Sequence, residues 1–447
     1  MKKLNLKYFL LLFGIIAVML SFHSCKEINN GGGNLSAPEI TSVYLEDAQS
    51  TVKDRLVDFV RLGQTVRLEG ANFLGVTKVL VNGYSCYFNP TLVTNTSMIF
   101  TVFQTTASTA IYTDPSVKNT ITLIKGDQTC SFTIDVRAAK PAITSVSHTM
   151  PQAGDVITIY GTGLQGVESV IFPGNIQGTN ITSDDVDGKW CQVTVPDGIT
   201  TSGSLTVIGA NGGAYSPANF NYKEGLLHNF DDVQNFSWGF IASGTSPLTD
   251  VIPASGTTGP KSQGGYQCFN PDGNLAGGAD QRYWLNSTNV QKIINNLSNL
   301  SASSITDSCG IQMDIYVNGI WNSGVIRFVM ADGWGASRYC MLYQPVYPNG
   351  AAYDPTAFVN PGCWFTVTLP FSLSSDFTGK TLGDVLSQMA SAQYQQCGPW
   401  FENSGLADPN DSSKSLFDAV PATEKIYFDN IRIVPLSTPS YSDFPDE

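Results

Sequence analysis

Pro38-Glu39-Ile40-Thr41-Ser42-Val43 and Pro141-Ala142-Ile143-Thr144-Ser145-Val146 are two versions of one hexapeptide, 103 positions apart. Gly63, Gly70, Gly75, Val76 and Val79 recur as Gly154, Gly161, Gly166, Val167 and Val170 at a constant offset of 91, so the first copy carries 12 extra residues between Tyr44 and Arg61. Val66 and Leu68, like Ile157 and Ile159, alternate with polar residues, which is the period of a half-buried strand. Gly70-Ala71-Asn72-Phe73 and Gly161-Thr162-Gly163-Leu164 read as tight turns that need a permissive backbone. Each copy closes on a further alternating strand, at 129–136 and 219–222. Short strands at this spacing, with no helical period, predict a β-sandwich in each copy.

The pattern P-x-I-T-S-V, then a glycine-bounded alternating strand, then a V-x-V-like strand, resembles the IPT/TIG modules, which are immunoglobulin-like. The resemblance covers 37–138 and 139–223. It implies an Ig-like fold and a spacer role more than a site. No site is read in either copy, and Trp190 is read as core.

From Leu226 the texture changes, and six of the seven tryptophans follow, at 238, 284, 321, 334, 364 and 400. Strands are predicted at 310–317, 325–329, 364–369 and 426–434, and short helices only at 289–297 and 382–391. The expected architecture is all-β: two tandem Ig-like sandwiches followed by a larger jelly-roll-like sandwich over 224–439, with a tail at 440–447. Leu227-His228-Asn229-Phe230-Asp231-Asp232, Trp364 to Pro370 and Ile426 to Val434 look like the opening, penultimate and closing strands of carbohydrate-binding jelly rolls.

At the other end, Met1-Lys2-Lys3 precedes the apolar run from Tyr8 to Phe22 and then Ser24-Cys25. Such a run is short for a mature span, which needs about 20 residues, so 1–25 reads as a cleaved signal. Cys25 would be the lipidated first residue of the mature chain, although Phe22 and His23 fit a strict lipobox poorly; ordinary cleavage beside an incidental cysteine is the alternative. Residues 26–36, with Gly31-Gly32-Gly33, make a flexible tether. Anchor, spacers and terminal module together resemble the surface glycan-binding proteins of Sus-like polysaccharide-utilisation systems, in the form that ends in a xyloglucan-binding-type domain. That resemblance implies an outer-membrane lipoprotein facing the cell exterior. It implies a polysaccharide or oligosaccharide ligand, a porin-type transporter as neighbour and contact with the membrane through the lipid alone.

Composition agrees with such a partner. Charged residues are 14% of the chain, against a usual ~25%, which suits neutral, hydroxyl-rich ligands. A net charge of −13, without any basic run, argues against nucleic acid. After Cys25 eight cysteines remain. Only Cys86 with Cys130 suggests a bridge, and no Cys/His spacing suggests zinc.

Neutral sugars are held by flat aromatic rings with amides and charged groups at the hydroxyls, and they require no cofactor. Trp334 stands between Gly333 and Gly335 in an apparent loop, followed by Arg338, Tyr339, Tyr343 and Gln344. Tyr339, Met341 and Tyr343 share a strand face, so the two tyrosines are expected to join Trp334 in a platform. Trp400 and Trp321 are its further candidates, in loop and hairpin-tip contexts, while Arg338 and Gln344 supply hydroxyl contacts. Partial burial at a sandwich edge is the alternative for each ring. Trp364 reads as edge packing, and Arg282-Tyr283-Trp284 as a trio that binds or caps the core. Asp231 and Asp429 would be neighbours if the first and last strands pair, a place for a structural Ca²⁺ or simply for a carboxylate capping a turn.

The ligand expected from these features is a β-linked glycan of xyloglucan, mixed-linkage glucan or mannan type. A glycoside hydrolase would need two carboxylates astride the bond. In the terminal domain the only glutamates between Gly225 and the tail are Glu402 and Glu424, and most aspartates sit in turn contexts. No nucleophile elbow, HExxH or phosphate loop is present. A protein-binding adhesin would instead place its contacts within 37–222.

Overall fold

The computed structural model describes residues 36–47, 50, 52–103, 114–231, 236–239, 251–256, 259–269, 280–331, 339–347, 353–392, 396–403, 407–408, 411–415 and 420–444. The chain forms two compact units, which divide between Ala139 and Lys140.

In the first unit a sheet of Arg55–Leu56, Glu39–Leu45, Thr65–Ala71 and Ser97–Thr101 packs with one of Tyr84–Cys86, Lys78–Val81, Thr120–Lys125 and Gln128–Thr133. Val66, Leu68, Val79, Val81, Ile121 and Leu123 all point inward and are fully buried, as their alternation predicts. Asp135–Arg137 runs parallel to Phe59–Arg61 and closes the unit. Cys86 and Cys130 are not bridged, because they occupy opposite edge strands of one sheet with two strands between them. At about 4.8 Å per strand step their separation is about 14 Å, twice what a disulfide spans.

The repeated hexapeptide is the signature of a β-bulge. Register shifts between Ile40 and Ser42 in the first copy, and between Ile143 and Ser145 in the second. The extra residue is the threonine, whose hydroxyl donates to a carbonyl across the ladder: Thr41 to Glu69 O at 3.0 Å, Thr144 to Tyr160 O at 3.1 Å. Opposite the bulge stands glycine. A Cβ on Gly70 would lie 1.8 Å from Glu39 O, and one on Gly161 2.1 Å from Ala142 O. These two glycines therefore serve close strand approach inside a strand, not a turn. The left-handed position comes two residues later, at Asn72 (φ 62°) and Gly163 (φ 72°), both residue types that tolerate it.

The second unit opens with the second sandwich. Its sheets are Ala142–Val146, Val156–Thr162, Trp190–Thr194, Thr179–Ser183 and Ile176–Gln177, Val167–Phe172, Thr206–Gly209, Gly212–Tyr215. Ile157, Ile159, Val170, Phe172, Cys191 and Val193 fill its core. Trp190 is half-buried on a strand rather than in that core. The strand expected at 219–222 is only a single bridge, Gly203 to Phe220.

The larger sandwich has its own core. One five-stranded sheet holds Leu226–His228, Lys425–Pro435, Cys309–Asn318 and Phe365–Pro370, with Gln267–Phe269 also paired to Lys425–Pro435. The other runs Phe236–Gly239, Asp280–Asn286, Gln396–Glu402, Val325–Val329, Cys340–Tyr343. Helix Ser287–Asn295 starts at Asn286, which accepts from Asn289 N. Helix Leu382–Ser391 starts with a Thr381/Asp384 capping box.

Cys309–Asn318 and Lys425–Pro435 are buried almost throughout, which an amphipathic strand with one wet face would not be. Ile311, Met313 and Ile315 face the sandwich core. Gln312, Asp314 and Arg432 face the second sandwich, which covers them. Arg432 is 0% exposed. Its guanidinium donates to Asp314 Oδ1 and Oδ2 at 3.0 and 3.1 Å, Gln312 Oε1 at 3.2 Å, Asn430 O at 2.6 Å and Thr149 Oγ1 at 2.6 Å. Thr149 belongs to the second sandwich, as does Ser147, whose carbonyl accepts from Thr366 N at 2.8 Å. Burial alone would push the Asp314 carboxyl up, but Arg432, and then His148 at 3.8 Å, hold it well below the usual range. Its ladder partner Asp429 goes the other way: burial, with the Asp314 charge beside it, raises its pKa well above normal. Charge on the first carboxyl thus disfavours charge on the second.

Asp314→Ala leaves Arg432 buried without its counter-ion, a change that costs about 3–5 kcal/mol in comparable sites. Urea unfolding of the variant should show a loss of that size, and Thr149→Val a smaller one. An unchanged midpoint in Asp314→Ala would refute the assignment of this pair as the junction's anchor.

Candidate functional site

The sheet that contains Asp280–Asn286 turns Tyr283, Leu285, Ile326, Phe328, Met341, Cys397 and Phe401 toward the core. Alternation sends Arg282, Trp284, Arg327, Val329, Cys340, Trp400 and Glu402 to its other face. Register makes a row of three on that face, Arg282 opposite Trp400 opposite Arg327. The guanidiniums lie 4.2 and 5.5 Å from the Trp400 ring centre. Each is also tied to a carboxylate: Arg282 to Asp280 at 2.7 Å, Arg327 to Glu402 at 2.7 and 3.0 Å. Cation–π contact and ion pairing together fix both arginines.

Trp284 lies beside Trp400, edge-on at 6.4 Å. Its ladder neighbour is Gly398, by the register that pairs Arg282 with Trp400 and Leu285 with Cys397. A Cβ on Gly398 would lie 2.1 Å from Tyr283 O, so glycine here admits the close approach of the facing strand. Trp284 and Trp400 are 2% and 8% exposed, and neither indole N–H finds an acceptor among the described residues. Two desolvated donors without partners are costly in a bare protein.

Residues 220–435 match the family model described as the surface glycan-binding protein B xyloglucan binding domain. The match spans the C-terminal sandwich. The chain is 25% identical over 299 residues to an IPT/TIG domain-containing protein of Bacteroides ovatus, 66% of this chain and 53% of that one. It thus spans about half the length of that curated relative. The crystal structure of a surface glycan-binding protein B from Prevotella bryantii aligns with a TM-score of 0.59 at 18% identity, covering 90% of this chain and 99% of that one, which shows a shared fold. A Bacteroides uniformis protein of the same name, from a complex xyloglucan utilization locus, aligns at 19% identity with a TM-score of 0.46, over 90% of this chain and 100% of that one.

Within the C-terminal sandwich, Trp400 stands on the face of its sheet turned away from the main core, in a strand rather than a loop. Trp334 and Arg338 lie outside the described residues. Tyr339, Met341 and Tyr343 do share a direction, but it is inward. Tyr339 donates its N–H to Asp376 at 2.8 Å and packs on Phe377, 5.8 Å away. Tyr343 meets Trp321 edge-on at 5.6 Å, and burial pushes its hydroxyl up to about 12. Trp321 is core and not a hairpin tip: it is fully buried, and its Nε1 donates to Gly324 O at 3.1 Å. Gln344 is half-buried. Trp364 is half-buried, as edge packing predicts, with Nε1 donating to Lys261 O at 2.8 Å.

The first and last strands do pair, Leu226 with Arg432 and His228 with Ile431, and each of Asp231 and Asp429 accepts hydrogen bonds from its own surroundings. Asp231 accepts from Gly265 N at 2.7 Å and Asn229 Nδ2 at 2.9 Å. Asp429 accepts from Asn430 N at 2.7 Å and Ser262 Oγ at 3.0 Å. Asp231 caps a turn, and burial raises the Asp429 carboxyl well above its usual range. Among the described residues no three His, Cys, Asp or Glu side chains converge, and Ca²⁺ takes six to eight oxygens.

The two glutamates have separate tasks. Glu402 neutralises Arg327, while Glu424 is 1% exposed, accepts from Thr423 N at 3.0 Å, and is raised by burial from 4.5 to about 7. A folded pKa above the unfolded one means the native state holds its proton longer, so this group's contribution to stability is full below pH 4.5 and lost as pH rises through about 7. Glu424→Gln should flatten the pH dependence of the unfolding free energy across that window. An unchanged slope would show that the carboxyl is not neutral in the fold.

Proposed function

We propose that this chain is a non-catalytic cell-surface glycan-binding protein whose C-terminal sandwich captures a neutral β-linked polysaccharide of xyloglucan, mixed-linkage glucan or mannan type for uptake. One structural observation carries the reading: two indole donors, nine-tenths buried and without acceptors among the described residues, flanked by two ion-paired arginines on one sheet face. Arginine and indole edges together supply donors to sugar hydroxyls, and the ion pairs leave the face near neutrality, as an uncharged ligand requires. The match of residues 220–435 to the xyloglucan-binding-domain model supports the ligand class.

In this reading the two Ig-like sandwiches hold the binding domain away from the membrane. Cys25 carries the lipid that anchors the chain to the outer membrane, and a porin-type transporter receives the captured glycan. Binding proceeds without bond cleavage, since the arrangement offers Glu402 and Glu424 as an ion-pair partner and a buried acid.

Trp400→Ala and Trp284→Ala should each retard far less on affinity gels containing xyloglucan or mixed-linkage glucan, by roughly tenfold or more for a stacked or donor-bearing ring at a binding centre. Trp321→Ala should lose about 3–5 kcal/mol of stability while keeping retention, whereas the two outer-face variants, whose rings are also buried, are compared at a temperature where thermal melts show them folded. Full retention by both outer-face variants would remove this face from the function, and reducing ends released from the polysaccharide would establish a hydrolase. For the anchor, Cys25→Ser should move the protein from the membrane fraction to the soluble one. Continued membrane association of that variant would exclude the lipid.

A further inference from the structure

The second and C-terminal sandwiches enclose a cleft of about 600 Å³ that the sheet face described above does not include. Its volume falls within the roughly 300–1,000 Å³ typical of small-molecule sites. Thr144, Ser145 and Tyr160 line one wall, and Phe358, Phe365 and Thr368 the other. No lining residue is charged. The two phenylalanine rings lie 6.0 Å apart with their inner sides against the core. Tyr160 is 45% exposed, and the hydroxyls of Tyr160 and Ser145 have no hydrogen-bond partner among the described residues.

The walls are held rigidly. Thr149 and Gln312 line the cleft and belong to the Arg432 network, and Gln312 Nε2 donates to Thr368 Oγ1 at 3.0 Å. A site whose walls are already ordered loses little freedom when filled.

We infer that this cleft is a second glycan subsite, which takes a neutral oligosaccharide segment at the junction of the two sandwiches. The inference rests on the glycan-binding reading. An anionic or cationic ligand would have no counter-charge there, whereas rings interleaved with hydroxyls match the alternating apolar faces and hydroxyl rims of a sugar chain. Two separated footholds on one polymer raise retention by effective concentration, without either being tight alone.

Hydrogen–deuterium exchange on the full mature chain, with and without xyloglucan- and mixed-linkage-glucan-derived oligosaccharides, tests this. Protection is expected over 142–149 and 356–368 as well as over 280–286 and 396–402. Tyr160→Ala with Ser145→Asp should abolish the first pattern, keep the second, and weaken polymer retention about tenfold, with the melting temperature unchanged because both side chains are exposed. Protection of the sheet strands alone overturns the subsite and leaves the proposed function standing. Cleft protection that survives the double variant also overturns it. Absence of protection at both places sinks subsite and function together.

Discussion

A guanidinium fully out of water dictates how the second unit is put together. Arg432 brings five N–H donors into the interior, and each unmet donor would be expensive. The acceptors come from both sandwiches: Asp314, Gln312 and Asn430 from the larger one, Thr149 from the smaller. Neutralising the charge and docking the sandwiches are therefore one event. Burial of polar residues at such a place constrains geometry more than it adds stability, and here the constrained geometry shapes the cleft beside it.

Much of the framework is legible in the residues, because strand periodicity and the duplicated hexapeptide depend on local chemistry. Predicted strands at 325–329 and 426–434 and the helix at 382–391 coincide with observed elements or differ at their ends by one residue. Alternation, however, says which side chains share a face and not which face is wet. It groups Tyr339, Met341 and Tyr343 correctly in relation to each other, yet their side is the interior. Gln312, Asp314 and Arg432 look like the solvent-facing half of ordinary strands, and only a covering domain reveals otherwise.

The proposed binding face is legible in the same partial way. Trp400 can be singled out, and the run Arg282-Tyr283-Trp284 draws notice, but Arg327 and Glu402 do not. Their significance arises from register across three strands that are far apart in the chain. The close strand approach at Gly398 has no local signal, since a glycine before proline reads as a turn until the facing strand is known.

The closing strand, Lys425–Pro435, lies inside its sheet, and the segment beyond it returns to the second sandwich. Ala218 N donates to Ser437 O at 3.1 Å, and Tyr441 lies edge-on to Tyr215 at 5.2 Å over Gly213, where a Cβ would collide with the phenol ring. Contacts of such high sequence separation form late and slowly. During synthesis, the first Ig-like module can condense as soon as it emerges, whereas residues 140–445 cannot close their fold until the strand at Lys425–Pro435 has been translated. Any chaperone that escorts this polypeptide has about two hundred residues of unfinished β-structure to shield, and a stop codon just ahead of that strand would leave the larger sandwich unassembled rather than merely trimmed.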